Sequence, residues 1–244
     1  STTELLNGAC ESYLKRTKEY YIDPQDRAFS LAGTMHHARL EQHEDDRHLL
    51  EEKLEQFDIT GIADLYDKET NTLLDYKNTG SYKCAKLLGM TYKLIPDPSG
   101  ARYKISGKWG KKGSPKMIKQ WYREEGLADY GDWGWQVNWY RYLLTKAGYD
   151  VDSMYIQVTL RDGGLAVARE RGLDKHIYLI EIPKYDDEVL ENKFLSARDE
   201  LVKALETGNL PQKCNKEQTW DGRKCQAYCD VRSLCPYNNG SING

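Results

Sequence analysis

The sequence predicts an α/β protein in which a mixed central sheet is flanked by helices. Two observations lead to this class. Short runs that alternate apolar and polar residues, as half-buried strands do, stand between longer runs with apolar residues at helical spacing. The chain has 244 residues, which suits one domain spanning 1–244 with ample sequence for a buried core.

The first part of the chain is predicted to be helical. The stretch "TELLNGACESYLKRTKEYY" forms the first helix, and Pro and Gly in "IDPQDRAFSLAG" interrupt it. A second helical region, "TMHHARLEQHEDDRHLLEEKLEQF", is expected to continue to Phe57. The apolar positions of the first helix are Leu5, Leu6, Tyr13 and Leu14.

Four strands are predicted, two directly after this helical region and two further along the chain. "FDITGIADLYD" alternates around Ile59, Ile62 and Leu65, and "TLLDYK" comes after the turn-like "KETN". Further along, "SMYIQVTL" and "HIYLIEIP" form two more strands. The apolar run of the last one suits a buried position in the sheet.

Between these pairs the composition changes. From Tyr82 to Lys119 there are ten Lys and Arg residues and one acid, Asp97, so residues 81–119 are predicted to be a basic insertion with loops and a short hairpin or helix. Helical character resumes in "MIKQWYREEGLADY" and is stronger in "WGWQVNWYRYLLTKAG", which Gly148 ends.

The C-terminal part is predicted to be one long amphipathic helix and a polar tail. The helix is "YDDEVLENKFLSARDELVKALETG", and the tail, residues 211–244, carries four cysteines. The predicted anchors of the helix are Val189, Phe194, Leu201 and Leu205.

Charge and hydropathy exclude several classes of protein. The net charge of -3 indicates no global attraction to nucleic acid or membrane. "STTELLNGACESYLKR" lacks the apolar segment of a signal peptide, and no run approaches the roughly 20 apolar residues that span a bilayer. We therefore expect a cytoplasmic protein without a membrane partner, in which six cysteines serve purposes other than structural disulfides.

The first two predicted strands carry two acids and a lysine. If the strands pair through "KETN", Asp64 and Asp75 approach each other, and Lys77 shares the face of Asp75. Close carboxylates repel each other unless a cation offsets their charge, and hard oxygen ligands suit Mg²⁺ or Mn²⁺. A lysine beside the metal orients a water and stabilises charge on a phosphate. The alternative is a pair of solvent-facing aspartates with a surface lysine.

Two helices carry weaker candidates for the same site. His37 and Glu41 are four residues apart and share a helical face, so His37 is a candidate metal ligand, although a lone histidine is more often satisfied by ordinary hydrogen bonds. Gln136 and Tyr140 have the same spacing in "QVNWY" and suit contact with a phosphate or support of the metal site. Routine packing is the alternative for that pair.

The cysteines of the tail are the most specific single feature. Thiolates clustered at these gaps suit Zn²⁺ or an iron–sulfur cluster, and the spacing alone does not choose between the two. The four residues are Cys214, Cys225, Cys229 and Cys235.

The order of "GTMHHARLE", "GIADLYD", "LLDYK" and "QVNWY", followed by a cysteine-rich tail, resembles the RecB-family branch of the PD-(D/E)XK nucleases. The similarity is greatest to the iron–sulfur members, which are CRISPR-associated and phage-type exonucleases. It implies a restriction-endonuclease-like fold and a hydrolase: a metal-dependent DNA exonuclease, rather than an endonuclease, that acts in recombination, repair or spacer processing.

The resemblance also implies roles for individual residues. Asp64 and Asp75, His37 and the backbone carbonyl of Tyr76 would bind Mg²⁺ or Mn²⁺, and Lys77 would act in catalysis. Asp64, Asp75, Gln136 and Tyr140 would complete the catalytic set. In the iron–sulfur relatives the tail closes on the N-terminal helix, which selects Cys10, Cys225, Cys229 and Cys235 for a [4Fe–4S] cluster. Cys214 is the alternative to Cys10, Zn²⁺ is the alternative to the cluster, and Cys84 has no role.

The basic insertion is the predicted contact with DNA, at ends or in single strands. Its lysines would track the phosphate backbone, and Tyr103, Trp109, Trp121 and Tyr122 would stack on unpaired bases; a solvated loop is the alternative. Proteins of recombination or CRISPR adaptation are possible partners. The lysines are Lys83, Lys86, Lys104, Lys108, Lys111 and Lys112.

Three other functions stay open at this point. The first is a non-catalytic DNA-binding module stabilised by zinc or an iron–sulfur cluster. The second is a redox protein that uses the cluster, and the third is a partner subunit of a larger complex. Metal-dependent cleavage of DNA separates the enzyme from all three.

Overall fold

A computed structural model describes residues 1–40 and 46–238, with the backbone alone for residues 29 and 36–40. The α/β class is confirmed: a mixed five-stranded sheet is flanked by helices. No helix in the described ranges is long and apolar enough to cross a bilayer.

The described strands are β1 (His48–Gln56), β2 (Ile59–Asp67), β3 (Thr72–Thr79), β4 (Met90–Pro96), β5 (Met117–Arg123), β6 (Ser153–Leu160) and β7 (Ile177–Glu181). The α-helices in the same ranges are α1 (Thr2–Leu6), α2 (Ala9–Thr17), α3 (Ala28–Leu40), α4 (Ser81–Leu87), α5 (Gly131–Lys146), α6 (Ala166–Glu170) and α7 (Asp187–Thr207).

The large sheet has the strand order β1-β2-β3-β6-β7. The first three strands form antiparallel pairs. Strands β3 and β6 run in the same direction, because Thr72 bonds Ser153 near their first residues and the Thr79 carbonyl accepts from the Arg161 N–H near their last. A two-stranded antiparallel sheet is made of β4 and β5.

The prediction of a helix up to Phe57 is wrong. The described part of α3 reaches Leu40, and residues 48–56 form β1. This stretch is rich in Glu, Lys, Leu and Gln, which favour helices when considered locally. Its pairing with β2 over most of its length, from His48↔Asp67 to Gln56↔Ile59, overrides that preference.

The helical prediction for "MIKQWYREEGLADY" is also wrong over its whole length, since α5 begins only at Gly131. Residues 117–123 form β5, which pairs with β4 from Met90↔Arg123 to Pro96↔Met117. The strand carries Ile118, Trp121 and Tyr122, and β-branched and aromatic residues fit a pleated surface well. The basic insertion therefore contains a helix, α4, as well as a hairpin.

The first predicted helix is divided in two at Gly8. This residue precedes α2 with a φ of 100°, which is open to glycine and unfavourable for residues with a Cβ. In α7 the predicted anchors Phe194 and Leu201 are buried, but Val189 and Leu205 are exposed. Leu190 is buried instead of Val189, so the apolar face begins one residue later than predicted.

The chain divides into two compact units. The first comprises Ser1–Tyr76, Gly131–Ile156 and Glu181–Gly244, and the second comprises Lys77–Tyr130 and Gln157–Ile180. In the first unit, α5 and α7 pack through aromatic rings: the Trp139 ring lies 4.4 Å from that of Phe194 and is stacked at 5.0 Å on that of Tyr142. In the second unit, Asp162 accepts hydrogen bonds from the backbone N–H and hydroxyl of Ser81 at the start of α4.

Candidate functional site

The two predicted acids lie on paired strands. The ladder between β2 and β3 runs from Asp67↔Thr72 to Leu65↔Leu74, and the next position along it is Asp64 on β2 and Asp75 on β3. Both side chains are buried, at 7% and 0% exposure. The backbone N–H of Tyr76 donates to Asp64 Oδ2 at 2.7 Å. The predicted hairpin is therefore present, and its acids face the interior of the protein.

The donor set at this position suits a hard cation. Asp64, Asp75 and the carbonyl of Tyr76 offer oxygens, which Mg²⁺ and Mn²⁺ prefer. Two buried carboxylates side by side also favour a positive partner, because like charges repel strongly away from water. Among the described residues, no group of three or more His, Cys, Asp or Glu side chains lies in an arrangement that holds a metal ion. The side chain of His37 and the whole of Glu41 lie outside the described residues.

A third acid occupies the neighbouring strand. In the β1–β2 ladder the pairs Leu50↔Leu65 and Glu52↔Ala63 enclose the position at which Glu51 stands opposite Asp64. Glu51 has a φ of 48°, an uncommon conformation for a residue with a Cβ. Glu51 is absent from the predicted site because its stretch was predicted to be a helix.

Lys77 follows Asp75 by two residues in β3 and is half-buried. Alternation along a strand places residues two apart on the same face. Lys77 is the first residue of the second unit, whereas both acids belong to the first.

Helix α5 carries the other two candidates. Gln136 Nε2 donates to the hydroxyl of Tyr140 at 2.7 Å, so the two side chains share a helical face as predicted. The Tyr140 ring packs on Gly61 of β2, where a Cβ added to the glycine would lie 2.8 Å from Tyr140 Cε1 and from Leu143 Cδ1. The absence of a side chain at Gly61 allows α5 to approach the strand that carries Asp64.

We expect Gly61→Ala to lower the free energy of unfolding by about 1–3 kcal/mol, because the added methyl group forces α5 away from β2. Thermal and urea unfolding measure the change. Gly80→Ala is the control, since nothing lies within 4 Å of its Cβ position and its φ is ordinary. Equal stability of the two variants would contradict the close packing of α5 on β2.

The cysteines gather at one cavity. Five of the six line it, and they come from α2 and from the C-terminal tail. None of the six forms a disulfide, and Cys84 is buried in α4 of the second unit. The five are Cys10, Cys214, Cys225, Cys229 and Cys235. Soft thiolates from both ends of the described chain suit Zn²⁺ or an iron–sulfur cluster.

Cys10 is the thiol with the clearest partners in this cavity. It hydrogen-bonds with Cys214 and with Cys235, whereas burial and then the charges of the same two residues raise the pKa of Cys225. Burial and the charge of Glu11 raise the pKa of Cys229, and a backbone hydrogen bond with Val231 opposes them. The hydrogen bond between Cys10 and Cys214 makes Cys214 a candidate ligand alongside the set taken from the resemblance.

The pKa of the Cys214 thiol is lowered. A hydrogen bond from Cys10 outweighs burial and, with the Glu11 backbone N–H, lowers the pKa of Cys214 to about 7. The same bond and burial raise the pKa of Cys10. Glu11 is in the first turn of α2, where unpaired N–H groups and the helix dipole stabilise an anion. These interactions stabilise the thiolate form of Cys214.

An ion network beside the cavity joins the tail to α2. Lys224 Nζ lies 2.6 Å from Glu11 Oε2, and Lys15 Nζ lies 2.7 Å from Glu11 Oε1 and 2.8 Å from Asp230 Oδ2. Lys224 and Glu11 are 8% and 5% exposed. This network was not predicted from the sequence. The i,i+4 spacing of Glu11 and Lys15 is a visible signal, but the partners in the tail have none.

We expect Glu11→Gln to lower the free energy of unfolding by about 3–5 kcal/mol, because it leaves the buried ammonium of Lys224 without its carboxylate. Chemical denaturation of the metal-depleted protein measures this change apart from any metal effect. The matched control is Glu217→Gln, whose ion pair with Lys193 is exposed and should contribute about 0–1 kcal/mol. Similar losses in both variants would show that burial does not govern the network.

The predicted DNA-binding lysines all belong to the second unit. Lys83 and Lys86 are half-buried on α4, and Lys86 pairs with Asp129 at 3.3 Å. The others are exposed on the segment between β4 and β5, where Lys108 lies over the Trp109 ring at 5.7 Å. These others are Lys104, Lys108, Lys111 and Lys112.

Comparison with known proteins yields no assignment: no protein-family model matches this chain, and no curated protein matches it significantly.

Proposed function

We propose that the chain is a Mg²⁺- or Mn²⁺-dependent deoxyribonuclease that hydrolyses phosphodiester bonds as an exonuclease. The observation that carries the proposal is the position of two buried acids, Asp64 on β2 and Asp75 on β3. They occupy the position that follows the pair Leu65↔Leu74 in the ladder of these two strands. Lys77, which follows Asp75 by two residues in β3, is further support for the proposal. Buried acids are costly for folding and are characteristic of sites where charge is needed for chemistry.

The oxygens of Asp64, Asp75 and the Tyr76 carbonyl would bind the cation, and His37 would join them as the resemblance implies. A bound divalent cation lowers the pKa of a coordinated water and offsets charge on the phosphate. The Lys77 ammonium would orient the attacking water and stabilise the charge that develops on the phosphate oxygens. The water releases a proton to solvent and its oxygen forms a bond to phosphorus. The bond to the leaving sugar oxygen breaks, and that oxygen takes up a proton from solvent.

Gln136 and Tyr140 would have a positioning role. Their mutual hydrogen bond restricts both side chains, and the packing of Tyr140 on β2 ties that pair to the strand of Asp64. Restricted side chains hold a substrate group with a smaller loss of entropy on binding.

The cysteine cavity would hold a second, structural metal centre. Thiols are suitable ligands for a [4Fe–4S] cluster or Zn²⁺, although the described arrangement is not a preformed metal site. Hydrolysis requires no electron from such a centre. Such a centre would join α2 to the tail, as the ion network does.

The test of the proposed function is an assay of protein purified without oxygen and analysed for iron and zinc. End-labelled single- and double-stranded DNA are incubated with Mg²⁺, Mn²⁺ or EDTA, and circular single-stranded DNA reports endonuclease action. We expect cleavage of linear DNA with either cation and none in EDTA. Absence of cleavage with both cations in a folded, metal-loaded protein would overturn the proposal.

The second candidate is a non-catalytic DNA-binding module stabilised by zinc or an iron–sulfur cluster. The cysteine cavity and the exposed lysines favour it, because neither requires the acids of β2 and β3. DNA binding without cleavage in the same assay would select this function.

A further inference from the structure

Both faces of the β4–β5 sheet carry exposed apolar side chains, including Ile118 and Tyr122 on one of them, but the other face holds a pair of neighbouring aromatic rings. Residues directly opposite in an antiparallel ladder lie on the same face, as do residues two apart along a strand. The pairs Tyr92↔Trp121, Leu94↔Lys119 and Pro96↔Met117 therefore share one face. We call it the stacking face and define it by Tyr92, Leu94, Met117, Lys119 and Trp121.

The apolar part of the stacking face is open to solvent. Tyr92 is 42% exposed, Leu94 58% and Met117 41%. Large apolar side chains grouped on a surface are typical of a binding site. A two-stranded sheet is also marginally stable by itself, so a bound partner would stabilise it.

The rings of the stacking face are each accompanied by a cation. The Tyr92 and Trp121 rings lie 5.1 Å apart at an angle of 49°. Lys119 Nζ lies 4.2 Å from the centre of the Tyr92 ring, and the Arg171 guanidinium lies 5.8 Å from that of Trp121. Aromatic rings with neighbouring cations suit a ligand that has both flat rings and negative charge.

The charge around the hairpin identifies the ligand further. Residues 90–123 contain nine Lys and Arg residues and one acid, Asp97, although the whole chain has a net charge of -3. This concentration of positive charge attracts a polyanion. Unpaired nucleotides combine regularly spaced phosphates with exposed bases, whereas the bases of a duplex are stacked on each other and unavailable.

We propose that the stacking face binds single-stranded nucleic acid by stacking unpaired bases on Tyr92 and Trp121, with Lys119 and the surrounding basic residues neutralising phosphates. As a statement about the substrate of the Asp64–Asp75 site, this inference rests on the proposed function. As a statement about binding it does not, because it requires no cleavage.

The test measures binding in EDTA, so that no cleavage occurs. Fluorescence anisotropy follows a labelled oligodeoxythymidine, a duplex of the same length and an abasic oligomer with the same phosphates. We expect the single strand to bind more tightly than the duplex or the abasic oligomer. Equal binding of all three would overturn the proposal, since charge alone would then explain the affinity.

The chain offers a matched control for each variant. The sequence predicts base stacking for both Trp121 and Tyr122, but Tyr122 lies opposite Thr91 on the other face of the sheet and does not belong to the stacking face. Its exposure of 41% is nearly the same as that of Tyr92. We expect Tyr92→Ala to weaken single-strand binding about 5- to 100-fold, which corresponds to the loss of one base stack, and Tyr122→Ala to leave it unchanged. Equal losses in the two variants, or none in Tyr92→Ala, would contradict the assignment of the face.

The lysines are compared in the same way. The logarithm of the binding constant for single strands falls linearly with the logarithm of the salt concentration, and each phosphate contact contributes about −0.7 to that slope. Lys119→Ala should therefore make the slope shallower by about 0.7. Lys93→Ala, on the opposite face, should leave the slope unchanged. Circular dichroism verifies that each variant is folded.

The outcome is separable from that of the proposed function. If binding depends on Tyr92 but no cation supports cleavage, the nuclease proposal fails and the stacking face stands. If cleavage depends on Asp75 but Tyr92→Ala binds like the wild type, the stacking face fails and the nuclease stands.

Discussion

Lys77→Ala should reduce DNA cleavage by about 10²–10³-fold at saturating cation, because it removes the positive charge that stabilises the phosphate in the transition state. The loss should fall on kcat, with DNA affinity in EDTA nearly unchanged. Rates on end-labelled single strands and anisotropy on the same oligonucleotide separate the two quantities. Asp75→Asn should give a comparable loss of activity and also weaken Mn²⁺ binding, which electron paramagnetic resonance measures directly.

The control for Lys77→Ala is Lys53→Ala. Lys53 is exposed on β1, so Lys53→Ala tests whether the loss of any lysine of the sheet reduces DNA cleavage. Both variants should unfold at nearly the wild-type temperature. Wild-type cleavage by folded Lys77→Ala protein would exclude the lysine from catalysis, and wild-type Mn²⁺ binding by Asp75→Asn would exclude the acid from the metal site.

Cys10→Ser should remove most of the bound iron or zinc and lower the unfolding temperature by roughly 6–12 °C, if the centre contributes about 3 kcal/mol in a chain of this size. The reason is that this thiol comes from α2 and the others from the tail, so its loss separates the segments that the metal joins. Metal analysis, the visible spectrum and thermal unfolding provide readouts independent of nuclease activity.

Cys84→Ala is the control for the cysteine variants, because Cys84 belongs to the second unit and should keep the full metal content. Comparison of Cys214→Ser with Cys229→Ser identifies the remaining ligand. The hydrogen bond between Cys214 and Cys10 leads us to expect the larger loss of metal in Cys214→Ser. A full metal load in Cys10→Ser protein would show that the centre does not join the two segments.

The strands that carry the acids were predictable from the sequence. Alternation around Ile59, Ile62 and Leu65 indicated β2, and the turn-like "KETN" indicated its pairing with β3. Both signals are local: side chains alternate along one strand, and a short turn determines the register of a hairpin. The hydrogen bond between Gln136 and Tyr140 was predictable for the same reason, since residues four apart are neighbours on a helix.

The two segments that were wrongly predicted show where local signals fail. Residues 48–56 have a helical composition, and residues 117–123 stand before a true helix, yet both form strands. Each obtains its hydrogen bonds from a neighbouring strand, and single-residue preferences of a few tenths of a kcal/mol cannot compete with a whole ladder. The error on 48–56 also concealed Glu51, which stands opposite Asp64 only because β1 pairs with β2.

The sequence by itself determined the alternation of strands and helices, the acids and lysine of the β2–β3 hairpin, and the presence of a thiol-rich tail. Only the tertiary structure decided that Cys214 lies at the start of the helix that carries Cys10, that Glu11 is bound by Lys224, and that Tyr92 and Trp121 share one face. The physical reason is the distance along the chain over which each kind of signal acts. Periodicity and turn chemistry act between residues a few positions apart, whereas a cavity, a buried ion pair or a sheet face depends on which distant segments pack together.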